Sequence, residues 1–515
     1  MTFGLRWTPA KLLCLSVATA GLGAAPPETW VPVRWDGGPL ELAHRAENKT
    51  PVSPELRESI SRWYDPATLG LLDGTPLNCL LVTFAGGAGT EIGERQRRLV
   101  KEYARQARER GLAVLGLVYP GADPSSFAAA AADAQLDGLV LEGEFPDGLA
   151  FAERVERALR LNKSAAVVIP LAKSPLARKT SSPVLAVEGV SPYLGKRSDA
   201  FTASPTGGMW IDSNMWLARS FRPDKRPVWI SHSSPAGSPG IYAKSIADAA
   251  AAGGRWIVAL DDDLRPRLLR REPEALGLWR SIAANLAFFE DRAEWRGFEP
   301  FGNVGIILDA TGPNLANSEE YLNLVARRQM PYRVIPRSRF AGSSLAGLRA
   351  ALAFDLAPPT DAERKILRAF AAEGGLVLSG PWWGGAPKDQ PYTVVAVDQG
   401  EVAVYKEESP DPEAVARDLT DLLQTPDLGV SLFNAPSVLS YVSTSVAGKR
   451  QMLIQLVNYA SLPAAPLTIW VTGRFSSARL YADGAVPVEL ALRRSGGRTE
   501  IAVPPLAAYG AVILE

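Results

Sequence analysis

The sequence predicts a multidomain α/β and β protein, in which a (β/α)8 barrel is followed by a smaller α/β domain and then by an antiparallel β-sandwich. Three observations support this prediction. Apolar runs alternate with helical patterns up to about residue 295, and the same alternation restarts near residue 300. From about residue 428 the runs become short, and turn residues rather than helices separate them. The chain of 515 residues also has the length of about three domains of ~150 residues each.

The first 25 residues have the pattern of a secretory signal peptide. Arg6 and Lys11 precede an apolar run over 12–22, and small residues follow at 23–25. A charged start, a short apolar segment and a small-residue exit are typical of a signal that is cleaved on export. No later segment is an unbroken apolar run of the ~18 residues that a membrane-spanning helix needs. We therefore expect a secreted or periplasmic protein whose mature form has no membrane partner.

Residues 26–298 carry eight apolar runs with helical patterns between them. Near-continuous apolar strands of this kind are typical of a parallel sheet covered by helices on both faces. Their number and spacing match a TIM-like (β/α)8 barrel, and an open doubly wound sheet is the alternative. The runs are VPVRW (31–35), NCLLVTF (78–84), AVLGLVY (113–119), GLVLEGE (138–144), AAVVIPL (165–171), PVLAVEG (183–189), PVWISHS (227–233) and RWIVALDDD (255–263).

Two further domains are predicted after the barrel. Residues 299–427 form the smaller parallel α/β domain, with strands at NVGIILD, YRVIP, ALAFD and GLVLSG and helices at 318–329 and 361–373. Residues 428–515 contain short strands punctuated by glycine-rich turns, which is the pattern of an antiparallel β-sandwich.

Composition limits the chemistry. Lys plus Arg and Asp plus Glu both number 55, so no basic excess points to a nucleic-acid partner. Cys79 is the one cysteine after the signal peptide, and its apolar strand predicts a buried, inert thiol. With only two histidines, His44 and His232, a zinc site built on several imidazoles is excluded, and no metal or cofactor is predicted. The glycine-rich GGAG at 86–89 lacks the GK[ST] of a phosphate-binding loop. Acid–base work therefore falls most naturally to carboxylates.

The order of domains resembles that of multidomain glycosidases of the β-galactosidase type. The local matches are LVNYASLPAAPLTIWVTG and PLAAYGAVILE in the last domain, with NVGIILD and GGLVLSG in the middle one. The resemblance implies a carbohydrate substrate, a flavodoxin-like or amidotransferase-like middle domain, an acid/base after strand four and a nucleophile after strand seven. It also implies that the middle domain assists a homo-oligomer. A working amidotransferase needs a cysteine nucleophile, and no cysteine follows Cys79, so we interpret this domain as structural.

Strand parity identifies candidate catalytic carboxylates. Active sites of such barrels lie at the C-terminal ends of the strands. Alternation in GLVLEGE turns Val140, Glu142 and Glu144 inward, and in PVLAVEG it turns Glu188 inward with Val184 and Ala186. A glycosidase needs two carboxylates, one acid and one nucleophile or base. The alternative is that these glutamates cap helices or pair with Arg or Lys.

The remaining candidates lie after other strands and in one long loop. Strand seven ends in Ser231-His232, which departs from the glycosidase pattern. The loop SPTGGMWIDSNMW (204–216) offers Asp212 as a further catalytic carboxylate, although it is equally suited to cap the helix that follows. The predicted substrate-binding residues are Asp36, Trp210, Asn214, Trp216, His232 and Asp261.

The sequence thus predicts a secreted glycoside hydrolase that acts on oligo- or polysaccharide through paired carboxylates at the barrel mouth. The alternative is a non-catalytic carbohydrate-binding or scaffold protein on a degenerate barrel, which the absent acid after strand seven favours.

Overall fold

The computed structural model describes residues 25–172, 181–192, 211–221, 225–232, 239–423, 428–446, 450–482 and 484–515. Residues 1–24 of the predicted signal peptide lie outside these ranges, so export stays a prediction. Within the described ranges, no helix has both the length and the apolar character that crossing a membrane requires.

The first domain is the predicted barrel. Its eight strands form one parallel sheet in sequential order. A further parallel bridge joins Val33 to Val258, directly after the eighth strand, and completes the ring. The strands are β1 (Pro32–Arg34), β2 (Cys79–Ala85), β3 (Ala113–Val118), β4 (Gly138–Leu141), β5 (Val167–Ala172), β6 (Leu185–Glu188), β7 (Val228–Ser231) and β8 (Arg255–Trp256). The accompanying helices are α1 (Gly38–Glu47), α2 (Pro54–Arg62), α3 (Thr90–Glu109), α4 (Pro124–Asp133), α5 (Leu149–Leu161), α6 (Ser213–Phe221), α7 (Pro239–Ala251), α8 (Leu264–Leu269) and α9 (Pro273–Glu290).

Strand parity places side chains as the sequence predicts. Val140, Val184 and Ala186 pack in the interior of the barrel. Leu139 and Leu185, one residue away on each strand, pack in the layer between strands and helices. The alternation of apolar side chains along a strand therefore fixes which positions reach the mouth of the barrel.

The middle domain is built on a six-stranded, mainly parallel sheet with the order β11-β10-β12-β13-β15-β14. The final pair, β14 and β15, is antiparallel. The amidotransferase-like description of this domain stays a prediction. Its strands are β10 (Val304–Leu308), β11 (Tyr332–Pro336), β12 (Ala350–Leu352), β13 (Leu376–Ser379), β14 (Tyr392–Val397) and β15 (Gly400–Tyr405), and its helices are α10 (Leu315–Arg327), α11 (Asp361–Ala372) and α12 (Pro412–Leu422).

The last domain consists of two antiparallel sheets around one apolar core. The short strand β9, Glu299–Pro300, pairs with the larger of these sheets, although the sequence assigned residues 299–300 to the middle domain. The other strands are β16 (Val430–Phe433), β17 (Val438–Thr444), β18 (Met452–Asn458), β19 (Leu467–Thr472), β20 (Ala478–Ala482), β21 (Val488–Glu489), β22 (Leu492–Ser495), β23 (Arg498–Val503) and β24 (Tyr509–Leu514).

One buried arginine connects all three parts. Arg219 of α6 donates to the backbone oxygens of Tyr332 in the middle sheet, at 3.1 Å, and Val442 in the sandwich, at 3.3 Å. The barrel, the middle sheet and the sandwich therefore meet around α6.

Candidate active site

A cavity of about 760 Å³ lies at the C-terminal ends of the barrel strands. Five of the predicted residues line it: Asp36, Glu142, Glu188, His232 and Asp261. Glu188 ends β6, Glu142 and His232 directly follow β4 and β7, and Asp36 and Asp261 lie two and five residues beyond the ends of β1 and β8. The position of the cavity matches the place where barrels of this type carry their active sites.

Glu142 is the first residue after β4. Its Oε1 accepts a 2.8 Å hydrogen bond from Nη1 of Arg34, a residue of β1 across the barrel. Its Oε2 is buried and has no hydrogen-bond partner among the described residues. A buried carboxylate oxygen without a partner has a cost in free energy, and the pairing of Glu142 with Arg34 is also what the alternative of a structural glutamate predicts.

Arg34 holds two carboxylates at once. Its Nε donates to Oδ2 of Asp36 at 3.0 Å while Nη1 binds Glu142. Burial alone would lower the pKa of Arg34, but Asp36 and Glu142 raise it on balance. The guanidinium therefore stays charged and holds both carboxylates in place.

Tyr119 completes this group. Its hydroxyl lies 3.5 Å from Nη2 of Arg34, and its ring stacks on His44 with 4.0 Å between ring centroids. Burial, together with the charges of Asp36 and Glu142, raises the pKa of Tyr119, so its hydroxyl stays protonated as a hydrogen-bond donor. His44 and Tyr119 form an aromatic wall on this side of the cavity.

Glu188 is the last residue of β6 and reaches the same cavity from another side. Unlike the apolar residues before it, its side chain is exposed. The backbone behind it is fixed, because the Gly189 nitrogen donates to the Ser231 oxygen at 2.8 Å. The structure thus brings Glu142 and Glu188 to one cavity.

Glu144 does not join them, which corrects the prediction that it faces inward. β4 ends at Leu141, and Gly143 adopts a positive φ of 107°. Alternation applies only while the backbone stays extended, and a left-handed residue changes the direction of the side chains that follow. Glu144 is exposed and is not among the residues that line the cavity.

The rim of the cavity is a closed ion-pair network. Arg265 contacts both oxygens of Glu41, at 2.8 and 3.2 Å, and both side chains are only 5–6% exposed. Arg45 bridges Glu41 and Asp262. Arg265 also donates to the backbone oxygen of Asp36 at 3.0 Å, so the rim supports the segment that carries this carboxylate.

Asp261 and His232 line the cavity but also have structural contacts. Asp261 accepts from the Tyr242 hydroxyl at 2.8 Å and from the backbone nitrogen of Leu264, at the start of α8, at 2.8 Å. The His232 ring stacks on Trp256 with centroids 5.2 Å apart. The substrate-binding role of both residues stays a prediction.

Three other candidates lie away from the cavity, which corrects their grouping with it. Asp212 is fully buried and pairs with Arg327 of α10 at 3.0 Å. Burial raises the pKa of Asp212 to about 6, although Arg327 acts in the opposite direction.

Trp216 is buried and donates to Asn323 of α10 at 2.9 Å, and Asn214 is buried where α6 meets α7. These side chains pack at the junction of domains because α6 meets the middle domain there. Trp210 lies outside the described residues.

Sequence reasoning missed Arg34, Tyr119, Glu41, Arg45 and Arg265. The parity rule that identified Glu142 would also have turned Arg34 inward, since it is the last residue of β1. The rim residues had no such signal, because they lie on helices and meet only in the folded chain.

Among the described residues, no cluster of three or more histidine, cysteine or acidic side chains is suited to hold a metal ion.

No protein-family model matches the chain, and no curated protein matches it. Solved structures do resemble it. Alpha-L-fucosidase isoenzyme 2 from Paenibacillus thiaminolyticus has a TM-score of 0.61 at 12% identity, covering 94% of this chain and 99% of the other. An exo-beta-1,4-mannosidase from Opitutaceae bacterium strain TAV5 has a TM-score of 0.47 at 12% identity, covering 78% and 96%. A GH42 beta-galactosidase from G. stearothermophilus has a TM-score of 0.43 at 9% identity, covering 90% and 82%.

The likeness to the fucosidase spans nearly the whole of both chains, so this chain has the layout of a multidomain glycosidase. At this identity the likeness concerns the fold alone, and the other two likenesses are too loose to support a conclusion.

Proposed function

We propose that this protein is a secreted glycoside hydrolase that acts on oligo- or polysaccharide, with Glu142 and Glu188 as its catalytic carboxylates. The observation that supports it most is the pair of glutamates at the ends of β4 and β6, which line one cavity at the barrel mouth. Two carboxylates across a cavity are the minimum that hydrolysis of a glycosidic bond requires.

The contacts of the two glutamates support different proposed roles. Glu142 accepts a hydrogen bond from the Arg34 guanidinium, and a carboxylate held by a cation suits the nucleophile or base. This differs from the resemblance, which implies an acid/base after strand four. Glu188 is exposed at the cavity, and we give it the complementary role of the acid that protonates the leaving group.

Carbohydrate binding without hydrolysis is the second candidate function. The observation that favours it is the end of β7, where Ser231 and His232 stand in place of the carboxylate that the glycosidase resemblance implies. A protein of this kind would retain the cavity and bind sugars in it without turnover.

The test is a set of matched glutamate-to-glutamine variants assayed on aryl glycosides and unactivated oligosaccharides. We expect Glu142→Gln and Glu188→Gln to lower kcat by ~10²–10⁴-fold. Glu188→Gln should lose less on substrates with good leaving groups, because these need little protonation. Glu144→Gln, two residues from Glu142 and outside the cavity, is the control and should keep the wild-type rate.

Full rates in both cavity variants would refute this assignment. If the wild type hydrolyses no member of the panel but binds sugars in calorimetry, and Glu142→Gln weakens that binding, the second function is the correct one.

A further inference from the structure

A buried polar cluster connects the barrel to the C-terminal sandwich. Asp248 of α7 accepts hydrogen bonds on Oδ1 from the hydroxyls of Tyr441, at 2.7 Å, and Tyr459. The two hydroxyls also contact each other at 2.7 Å. Tyr441 belongs to β17 and Tyr459 directly follows β18, so one carboxylate of the barrel is held by two neighbouring strands of the sandwich.

Asn214 of α6 binds the other side of the same carboxylate. Its Nδ2 donates to Oδ2 of Asp248 at 2.7 Å. All four side chains are buried, with Asn214 and Asp248 fully excluded from solvent. Three donors on one carboxylate leave no rotational freedom for either partner, since a change of rotamer would break at least one bond in a dry environment.

The same amide group of Asn214 also binds the backbone just after β6. Its Nδ2 donates to the Val190 oxygen and its Oδ1 accepts from the Val190 nitrogen, both at 2.7 Å. Val190 lies two residues after Glu188, and Gly189 between them has no room for a side chain. A Cβ there would lie 2.6 Å from Oδ1 of Asn214 and 2.4 Å from Ile230. The side-chain amide of Asn214 thus makes the two hydrogen bonds with Val190 that a neighbouring strand would otherwise make.

We propose that Asn214 is a positioning residue, held by Asp248 and by the two sandwich tyrosines, that fixes the β6 end of the cavity and with it Glu188. This inference rests on the proposed function, and it gives the sandwich a part in the site that it does not itself line. A catalytic carboxylate must be held within a fraction of an ångström, and β6 has only four residues with which to hold its own end.

The test compares variants that cut the connection with a control at the same junction. Asn214→Ala and the double variant Tyr441→Phe/Tyr459→Phe cut it at opposite ends. Lys244→Met is the control. Lys244 also lies on α7 and donates to the backbone oxygens of Tyr459 and Ala460, whereas the side-chain hydrogen bonds of Asp248 go to Tyr441, Tyr459 and Asn214. All three variants should lower Tm, but only Asn214→Ala and the tyrosine double variant should weaken the hydrogen bonds between Asn214 and the backbone of Val190.

The first readout is hydrogen exchange of peptides covering residues 185–192, which does not depend on activity. We expect exchange there to be up to about tenfold faster in Asn214→Ala and in the tyrosine double variant, in line with the loss of a hydrogen bond between neutral amide groups. Lys244→Met should leave it unchanged. Unchanged exchange in both connection variants would overturn the inference, whether or not the wild type is an active hydrolase.

The second readout is steady-state kinetics, and it separates this inference from the proposed function. We expect kcat to fall at least about tenfold with little change in KM, because a misplaced acid impairs reaction more than binding. Faster exchange with an unchanged kcat would show that the segment is held without positioning Glu188, and would overturn the inference. An inactive wild type would refute the proposed function alone, and the exchange readout would still decide whether the sandwich holds this segment.

Discussion

The barrel mouth and the barrel–sandwich junction both collect carboxylates, and they neutralise them in different ways. At the mouth, Asp36, Glu142 and Glu41 are each bound by an arginine. At the junction, the side chains that bind Asp248 among the described residues are the neutral groups of Tyr441, Tyr459 and Asn214. The mouth therefore pairs its acids with cations, whereas the junction buries an acid among neutral donors.

This difference shows why a shifted pKa does not by itself locate a site. Burial raises the pKa of Asp212, at the contact between the barrel and the middle domain, and that of Asp248, at the barrel–sandwich junction, to about 6, and neither residue lines the cavity. Perturbed carboxylates often mark catalytic sites, but buried structural networks perturb them as well. Here the candidate site rests on the cavity and the residues that line it, whereas the raised pKa values belong to contacts between domains.

The largest effect that separates the two regions is expected at Arg34. Arg34→Met removes the cation between Asp36 and Glu142 and leaves two carboxylates facing each other without it. We expect kcat to fall by ~10²-fold or more, because Glu142 would lose the hydrogen-bond donor that holds it in position. Arg34→Lys keeps the charge without the two-pronged geometry and should retain more activity than Arg34→Met. Equal losses in both variants would show that the charge of Arg34 is unimportant.

We expect substitutions in the rim network to lower the free energy of unfolding rather than kcat. Arg265→Met leaves the buried Glu41 with Arg45 as its remaining cation, so we expect a cost below the ~3–5 kcal/mol of a buried charge left without any partner. Urea unfolding measures the loss, and Glu41→Gln/Arg265→Met is the control because it removes both charges. We expect the double variant to recover part of the stability. A loss below about 1 kcal/mol in the single variant would place this pair with ordinary surface salt bridges.

The sequence was sufficient to predict the sheet of the barrel. Each of its eight strands was an apolar run that the structure confirms, because strands buried on both faces have little freedom in composition. Parity then placed Val140 and Ala186 correctly and brought Glu142 and Glu188 to the cavity.

The wrong predictions arose where the backbone left the extended conformation, so that strand alternation no longer applied, or where contacts with another domain decided the position of a side chain. Gly143 turns the chain before Glu144, which an extended-strand pattern does not indicate. Asp212 and Trp216 looked like a sugar-binding loop, but Arg327 and Asn323 of the next domain bind them. No local pattern in the sequence connects residues more than a hundred positions apart, so these contacts needed the folded chain.

Asp212 offers a pH-dependent test of the contact between the barrel and the middle domain. Its pKa is raised to about 6, so the folded protein binds a proton more tightly here than the unfolded chain does. Stability from this group is therefore largest at low pH and falls as the pH rises through about 4 to 6, by about 3 kcal/mol at most.

Asp212→Asn removes this titration. The difference in free energy of unfolding between wild type and variant should thus shift against the wild type as the pH rises from about 4 to 7. A constant difference across that range would mean that Arg327 compensates fully for the burial of Asp212.

The smallest effect is expected at Cys79, which lies in the apolar interior of the barrel and is not among the residues that line the cavity. Burial, with a smaller contribution from Asp137, raises the pKa of its thiol, so the reactive thiolate is disfavoured. Cys79→Ser should leave kcat and KM within about twofold of wild type, while the buried hydroxyl lowers stability by about 1–3 kcal/mol. Thiol labelling of the native protein should be slow and should become fast only in denaturant. Rapid labelling of the native protein would show that the β2 end of the barrel opens, and the interior on which Glu142 and Glu188 rest would then be less rigid than the apolar packing indicates.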